Sequence, residues 1–174
     1  MKNPKLFVHL AASALIGLPL LAAQTKQVTI NASVAEMLSL TVDATNVAFA
    51  FAAADYDVTT GLATKEAVKA TTFSVTANRA WRLSARAGNA SFSFTPVGTA
   101  VDPAKPSSAL AIRTGVVAYA PFAGVAEQTV ATGSRGGTGK AGNVIPVDYQ
   151  MKSDLALDPP GAYLLTLTYT LIAQ

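Results

Sequence analysis

A glycine-rich loop, Gly133–Asn143, is the stretch whose spacing comes closest to a chemical motif. Gly137, Gly139 and Gly142 fit the G-x-G-x-x-G pattern of dinucleotide-binding loops. That pattern holds a phosphate where the loop opens a helix, because the first amides of the helix bind the anion. The residues that follow, Pro146 among them, alternate like a strand instead. The sequence therefore predicts a surface loop and no nucleotide cofactor.

Two carboxylates, Asp55 and Asp57, lie close enough in sequence to share a cation. Calcium takes about six to eight oxygen ligands, so several such groups must converge on one point. No further Asp or Asn adjoins this pair. We expect a solvated loop here and no metal site.

Three arginines, Arg79, Arg82 and Arg86, surround Trp81 and could form a small basic ridge for a polar ligand such as a glycan. Strand alternation, however, places Trp81 and Leu83 on one face and the last two arginines on the other. The simpler interpretation is a solvated sheet face above a buried tryptophan.

Histidine and cysteine chemistry is nearly absent from the chain. Its one histidine is His9, and it has no cysteine. Histidine-dependent triads, thiol catalysis, disulfides and Cys/His zinc sites are therefore excluded once the first residues are removed. The acidic residues are scattered, with no pair spaced as a catalytic acid and base. The sequence favours a protein that is not an enzyme and needs no cofactor.

Residues 1–23 have the pattern of a secretory signal peptide. Lys2 and Lys5 supply positive charge, Leu6–Leu21 is apolar, and Ala22 and Ala23 are small enough for cleavage. We expect export and a mature chain of about 150 residues, enough for one domain. Loss of the two lysines lowers the formal charge from +3 to about +1, which argues against a nucleic-acid partner.

Short alternating runs separated by turn residues continue to the end of the chain and predict an all-β, immunoglobulin-like β-sandwich of about eight to ten strands. Val47–Phe51 is expected to be a strand, and residues 52–70 a loop with one helical turn. Pro146 is expected either in an edge strand or at the start of a strand. The predicted core includes Phe49, Phe73, Trp81, Leu167 and Tyr169.

The final run, Gly161–Gln174, is the most regular. Thr166, Thr168 and Thr170 alternate with apolar side chains, which predicts one long strand with a buried face. A strand this apolar would promote aggregation if left uncovered, so another segment must cover it. Its apolar face comprises Tyr163, Leu165, Leu167, Tyr169 and Leu171.

Residues 24–35 form a second alternating run, ahead of a β-sandwich domain expected at 36–174. Polar Thr29, Asn31 and Ser33 separate the apolar positions, as in a strand. Such a segment can pair within its own domain and complete a closed monomer, or it can pair with a second copy. The alternating pattern is compatible with both arrangements, and the sequence does not distinguish between them. The apolar positions are Val28, Ile30, Ala32 and Val34.

The two ends together resemble the subunits of bacterial chaperone–usher pili, of the cysteine-free alternate type. Many such pilins carry a glycine fourteen places from the C-terminus, where this chain has Gly161. Leu167, Tyr169 and Leu171 follow at eight, six and four places from the end. At the other end, Lys26–Val34 looks like the donor segment of these pilins.

The resemblance implies a structural subunit of a surface fibre, in which the donor segment of one subunit fills a groove beside the C-terminal strand of the next. It implies identical or related pilins, a periplasmic chaperone and an outer-membrane usher as partners, and a host or surface glycan as the ligand of an adhesive fibre. Ala173 departs from the tyrosine common there, and Ala35-Glu36 from the proline that often follows the donor segment. The alternative is a monomeric secreted or periplasmic β-sandwich that binds a glycan.

Overall fold

The computed structural model describes residues 29–137, 139 and 142–174, which fold almost entirely into antiparallel strands. The expected signal peptide and Val28 lie outside the described residues. Within those residues the only helices are two 3-10 turns, Ala53–Asp55 and Ser107–Ala109, and no helix there is long and apolar enough to cross a bilayer. The strands are β1 (Leu38–Val42), β2 (Leu62–Ala77), β3 (Trp81–Ala87), β4 (Ser93–Pro96), β5 (Leu110–Thr114), β6 (Ala120–Pro121), β7 (Gln128–Gly133), β8 (Val144–Asp154), β9 (Gly161–Leu164) and β10 (Leu167–Ala173).

Two sheets pack against each other and enclose the core. The larger has the strand order β1-β2-β8-β5-β6, and the smaller has the order β10-β3-β7. Val75 and Val147 from the larger sheet and Trp81 and Leu83 from the smaller belong to one fully buried cluster. β4 and β9 pair separately. The predicted all-β sandwich is therefore confirmed.

β2 corrects the prediction of a loop over residues 52–70. It begins at Leu62 and pairs with β8 from there to Ser74, with a bulge between Ala67 and Thr71. Lys69 in the bulge has a positive φ of 49°. Pairing with a central strand overrides the weak strand propensity of this Lys- and Ala-containing stretch. Residues 47–51, predicted as a strand, have no regular secondary structure.

Pro146 lies near the start of the central strand β8, so of its two predicted positions the edge strand was wrong and the start of a strand is the one that is observed. On one side it pairs with Thr72 of β2. On the other side β5 ends at Thr114, which pairs with Val147. Only one strand therefore flanks Pro146, and its missing N–H costs less than it would between two neighbours.

The C-terminal run forms two strands and not the single strand predicted. β9 pairs with β4 and β10 pairs with β3, and the loop between β3 and β4 separates these partners. The break lies at Leu165 and Thr166. The Thr166 carbonyl accepts a hydrogen bond from the Gly88 amide at 2.8 Å. The predicted alternation persists across the break: the side chains of Leu165 and Leu167 are half-buried and that of Thr168 is exposed.

One end of the domain, here called the Asn78 end, holds both chain termini of the sandwich. The Asn78 side chain donates to the Ala35 carbonyl at 2.7 Å and accepts from the Met37 amide at 3.0 Å. Arg79 donates two hydrogen bonds to the Gln174 carbonyl, at 3.0 and 2.8 Å. The N-terminal segment therefore joins the domain where β10 ends.

The opposite end, here called the Asp158 end, consists of two adjacent turns, 57–61 and 154–158. The Leu155 amide donates to the Gly61 carbonyl at 2.9 Å and joins the turns. β2 runs from this end to the Asn78 end, and its 16 residues correspond to about 50 Å of strand.

Candidate functional site: an open apolar groove

A groove of about 1200 Å³ lies beside the C-terminal strands. One wall comes from residues 40–51, and the opposite wall from residues 158–169. Inward side chains of the larger sheet form much of the floor. The lining is dominated by large apolar and aromatic side chains, namely Phe49, Phe51, Phe73, Phe92, Leu110, Met151, Tyr163, Leu165, Leu167 and Tyr169.

The groove exists because both sheets end at unpaired edges. In the described part of the chain, β10 has β3 on one side and no strand on the other. β1 is the matching edge of the larger sheet. Cα atoms of β1 and β10 come within 8 Å of each other near the Asn78 end, and the groove extends from there toward the Asp158 end. The free edge of β10 offers backbone N–H and C=O groups to an added strand.

Burial of the predicted core residues follows from this opening. Trp81 and Phe73 are buried, as predicted. Phe49, Leu167 and Tyr169 are less completely buried and pack against the edge of the core, so the prediction that all five residues are mostly buried is confirmed. These three residues line the open groove, and this position accounts for their remaining exposure.

Side-chain bonds hold the first wall of the groove against β2. The Thr72 amide donates to Asp43 at 2.6 Å, and this hydrogen bond is the main reason why the pKa of Asp43 is lowered. Further along, Lys65 donates to the Ala50 carbonyl at 2.5 Å and forms an ion pair with Asp55 at 2.7 Å. Side-chain contacts, and not a strand ladder, therefore hold this wall in place over residues 43–51.

Two tyrosines join the sheets at the groove floor. The Tyr149 and Tyr169 hydroxyls lie 2.8 Å apart, and the Phe73 and Tyr169 ring centroids are 4.3 Å apart. Burial raises the pKa of Tyr169, and the neighbouring Tyr149 raises it further. The hydroxyl therefore remains neutral and available as a hydrogen-bond donor.

A buried ion pair lies in the groove lining at the Asp158 end. Lys105 and Asp158 are bonded, and their side chains are only 6% and 7% exposed. Asp158 also accepts from the Ser153 hydroxyl and the Asp154 amide, each at 2.9 Å. The Lys105 ammonium lies 5.6 Å from the centroid of the Tyr163 ring. The pair therefore has the additional hydrogen bonds that a buried ion pair requires.

The same network shifts two pKa values. Burial alone would raise the pKa of Asp158, but hydrogen bonds from Lys105, Asp154 and Ser153, together with the Lys105 charge, hold it below the ordinary value of 3.8. Burial, followed by the negative charge of Asp158, raises the pKa of Tyr163 to about 12. Lys105 and Asp158 at this end of the groove are therefore both charged, and their opposite charges cancel.

Gly161 occupies a position in the groove lining where a side chain does not fit. A Cβ at this residue would lie 2.6 Å from the Thr95 carbonyl oxygen and would overlap the Phe94 ring. The backbone of β9 therefore approaches β4 closely only because residue 161 is a glycine.

The other candidate residues are not assembled into a site. Trp81 has no exposed surface, and its Nε1 donates to the Ser134 carbonyl at 3.2 Å, so its ring cannot stack on a sugar. Asp57 accepts the amides of Thr59 and Thr60, at 3.0 and 2.7 Å, within its own turn. Across the described residues, no three His, Cys, Asp or Glu side chains are grouped to hold a metal ion.

The glycine-rich loop leads into β8 and not into a helix, so the position at which a dinucleotide loop would bind phosphate does not form there. Thr138, Lys140 and Ala141 of this loop lie outside the described residues. Its Asn143 is buried and donates to the Val75 and Gly136 carbonyls at 3.2 and 2.9 Å. Asn143 therefore has a structural role at the start of β8.

The predicted donor segment is described from residue 29 onward. Residues 29–34 form no helix or strand, and their side chains are exposed. Ile30 and Val34 are 87% and 86% exposed. Ala32 is exposed as well, and Val28 lies outside the described residues.

The ion pair is the feature of the groove that sequence reasoning missed. Lys105 and Asp158 are 53 residues apart, in loops with no motif. No known protein-family model and no curated protein sequence matches the chain. Function is therefore inferred from the groove and from the N-terminal segment.

Proposed function

We propose that this protein is a structural subunit of a bacterial surface fibre that assembles by donor-strand exchange. The N-terminal segment, residues 24–35, of one copy inserts into the groove beside β10 of the next. The open apolar groove beside an unpaired edge strand is the observation that supports this function most strongly. An added strand gains main-chain hydrogen bonds along the edge, and its alternate side chains fill the groove.

The length and polarity of the segment suit the groove. Eleven extended residues, 24–34, span about 36 Å, and the thirteen residues from Gly161 to Ala173 span about 43 Å. Insertion would bury Val28, Ile30 and Val34, at about 1.5–3 kcal/mol for each fully buried side chain. Ile30 and Val34 are exposed in the isolated chain, so most of this stabilisation is gained only on insertion.

The point where the segment joins the domain favours insertion between copies. Ala35 is bound at the Asn78 end, where β10 also ends. A segment folding back into its own groove would therefore run parallel to β10. A segment from a second copy can run antiparallel to β10, which gives the slightly more stable ladder. In that direction the donating copy lies at the Asp158 end of the accepting copy.

Antiparallel insertion produces a linear polymer. Each copy donates from its Asn78 end and accepts a neighbour at its Asp158 end, so the contact is head-to-tail and does not close. Before assembly the groove edge must be covered, because an apolar edge strand promotes aggregation. A periplasmic chaperone strand and an outer-membrane usher are the partners expected for this step, and the cell surface is the expected location.

Paired substitutions in the segment test the function. Ile30→Asp places a carboxylate in the groove, where an unpaired charge costs several kcal/mol, whereas Asn31→Asp lies on the opposite face of the same strand. We expect the wild type and Asn31→Asp to form ladders on unboiled gels and Ile30→Asp to remain monomeric. A wild-type protein that runs as a single monomeric band, and unfolds when residues 24–34 are deleted, would refute the fibre and favour the closed monomer.

A further inference from the structure

We infer that the Asp158 end carries a second contact surface, which docks on the Asn78 end of the next copy in the fibre. This surface, here called the turn patch, consists of Val58, Leu62, Leu155 and Leu157. The inference rests on the proposed function, because the fibre brings these two ends together. It adds a contact between the folded domains to the contact made by the donor segment.

The turn patch consists of exposed apolar side chains at one end of the domain. Val58 is 101% exposed, Leu62 52%, Leu155 65% and Leu157 68%. They belong to two adjacent turns: Leu62 pairs with Asp154, and the Leu155 amide donates to Gly61. Several exposed apolar side chains at one end of a domain are candidates for an interaction surface.

The turn patch is continuous with the groove, since Leu155 belongs to the patch and also lines the groove. Asp158, three residues further along, is part of the ion pair at the same end of the groove. A chain that leaves the groove at the Asp158 end would therefore pass beside Leu155.

The occupant of the turn patch follows from the short connection between the donor segment and its own domain. Val34 is the last apolar position of the segment, and Ala35 is already bound to Asn78 of its domain. One residue spans at most about 3.6 Å, so the donating domain cannot lie far from the groove it fills. Its Asn78 end must lie against the Asp158 end of the accepting copy.

The Asn78 end offers an apolar side chain to the turn patch. Met37, whose amide is held by Asn78, is 50% exposed. Methionine adapts to irregular apolar surfaces, so it suits a contact with the leucines of the turn patch. We therefore expect Met37 of the donating copy to lie near Leu157 of the accepting copy.

The complete absence of cysteine makes this contact testable by cross-linking in the full chain. The test variant is Met37→Cys with Leu157→Cys, treated with a short bifunctional maleimide. The matched control is Met37→Cys with Val116→Cys, because Val116 is 103% exposed and follows the end of β5 that lies toward the Asn78 end. Unboiled gels without reagent report assembly, and boiled gels with reagent report the domain contact.

We expect both variants to form the unboiled ladder and only the Leu157 variant to keep a ladder after boiling. An unboiled ladder without any cross-linked ladder from the Leu157 variant would overturn the turn-patch contact and leave the proposed function standing. Cross-linking of the Val116 variant instead would overturn it as well, by showing that two Asn78 ends meet. Absence of the unboiled ladder from all proteins, wild type included, would overturn the proposed function and the turn-patch contact together.

Discussion

The hydroxyls of Tyr149 and Tyr169 lie 2.8 Å apart and connect the two sheets across the groove floor. Tyr149 belongs to the central strand β8 and is buried, whereas Tyr169 belongs to the edge strand β10 and is half-buried. Their hydrogen bond fixes the edge strand relative to the larger sheet. It therefore sets the position of the free edge to which a donor strand would add.

Removing one hydroxyl of this pair should destabilise the domain more than removing both. Tyr169→Phe leaves the buried Tyr149 hydroxyl unsatisfied, which costs about 1–3 kcal/mol. The double variant Tyr149→Phe with Tyr169→Phe removes both partners and should recover much of that loss. Chemical denaturation of the wild type, the two single variants Tyr149→Phe and Tyr169→Phe, and the double variant measures the difference. A double variant as unstable as the sum of the single variants would contradict the paired arrangement.

Leu167→Ala should have different effects in the monomer and in the fibre. In the monomer Leu167 is half-buried, so the expected loss is about 1 kcal/mol, roughly half the value of a fully buried leucine. In the proposed fibre the inserted segment would cover it, and the loss should rise to about 2–5 kcal/mol. Thermal melts of monomer and polymer compare the two, with Thr168→Ala on the exposed face as the control. Equal losses in both forms would mean that Leu167 is not covered on assembly.

Gly161→Ala should weaken the pairing of β9 with β4. The added methyl group overlaps Phe94 and the Thr95 carbonyl, and overpacking of this kind costs about 1–3 kcal/mol. Gly137→Ala is the control, because a methyl group there meets nothing within 4 Å. A denaturation midpoint for Gly161→Ala equal to that of Gly137→Ala would contradict the close approach.

Acid should destabilise the domain through Asp158. Its pKa is lower in the folded chain than the ordinary 3.8, so its ion pair contributes fully at neutral pH. That contribution declines below the ordinary pKa and is lost as the pH falls through the folded pKa. Asp158→Asn should lower stability at neutral pH, because it leaves Lys105 buried without its counter-charge. It should also flatten the dependence on pH below about 4.

Melting temperatures measured between about pH 7 and about pH 2 test this acid dependence. Glu127→Gln provides the control, because Glu127 is exposed. A curve for Asp158→Asn parallel to the wild-type curve would show that the ion pair does not contribute to the acid sensitivity.

The sequence was sufficient to predict the features that depend on local alternation. The all-β class, the inward Trp81 and the alternating C-terminal face of Leu165 and Leu167 are read directly from a period of two. β2 was missed because Lys65 and Lys69 have weak strand propensity, and pairing with β8 decides their conformation.

The groove could not be predicted in detail because it depends on long-range contacts. Lys105 and Asp158 meet only after the larger sheet has brought distant loops together. The partial exposure of Phe49 also depends on long-range structure. An alternating run predicts only that such an apolar residue faces the core, and not that it lies at an open groove. Only the order of the strands in the two sheets shows that β1 and β10 are unpaired edge strands among the described residues.

Peptide complementation tests the central claim most directly. A chain lacking residues 1–34 is mixed with a synthetic peptide of residues 24–34, and the melting temperature is measured with and without the peptide. Because a ligand that binds only the folded state stabilises it, we expect the wild-type peptide to raise the melting temperature and an Ile30→Asp peptide to have no effect. Equal behaviour of the two peptides, or no stabilisation by the wild-type peptide, would contradict the assignment of the groove as the acceptor of the N-terminal segment.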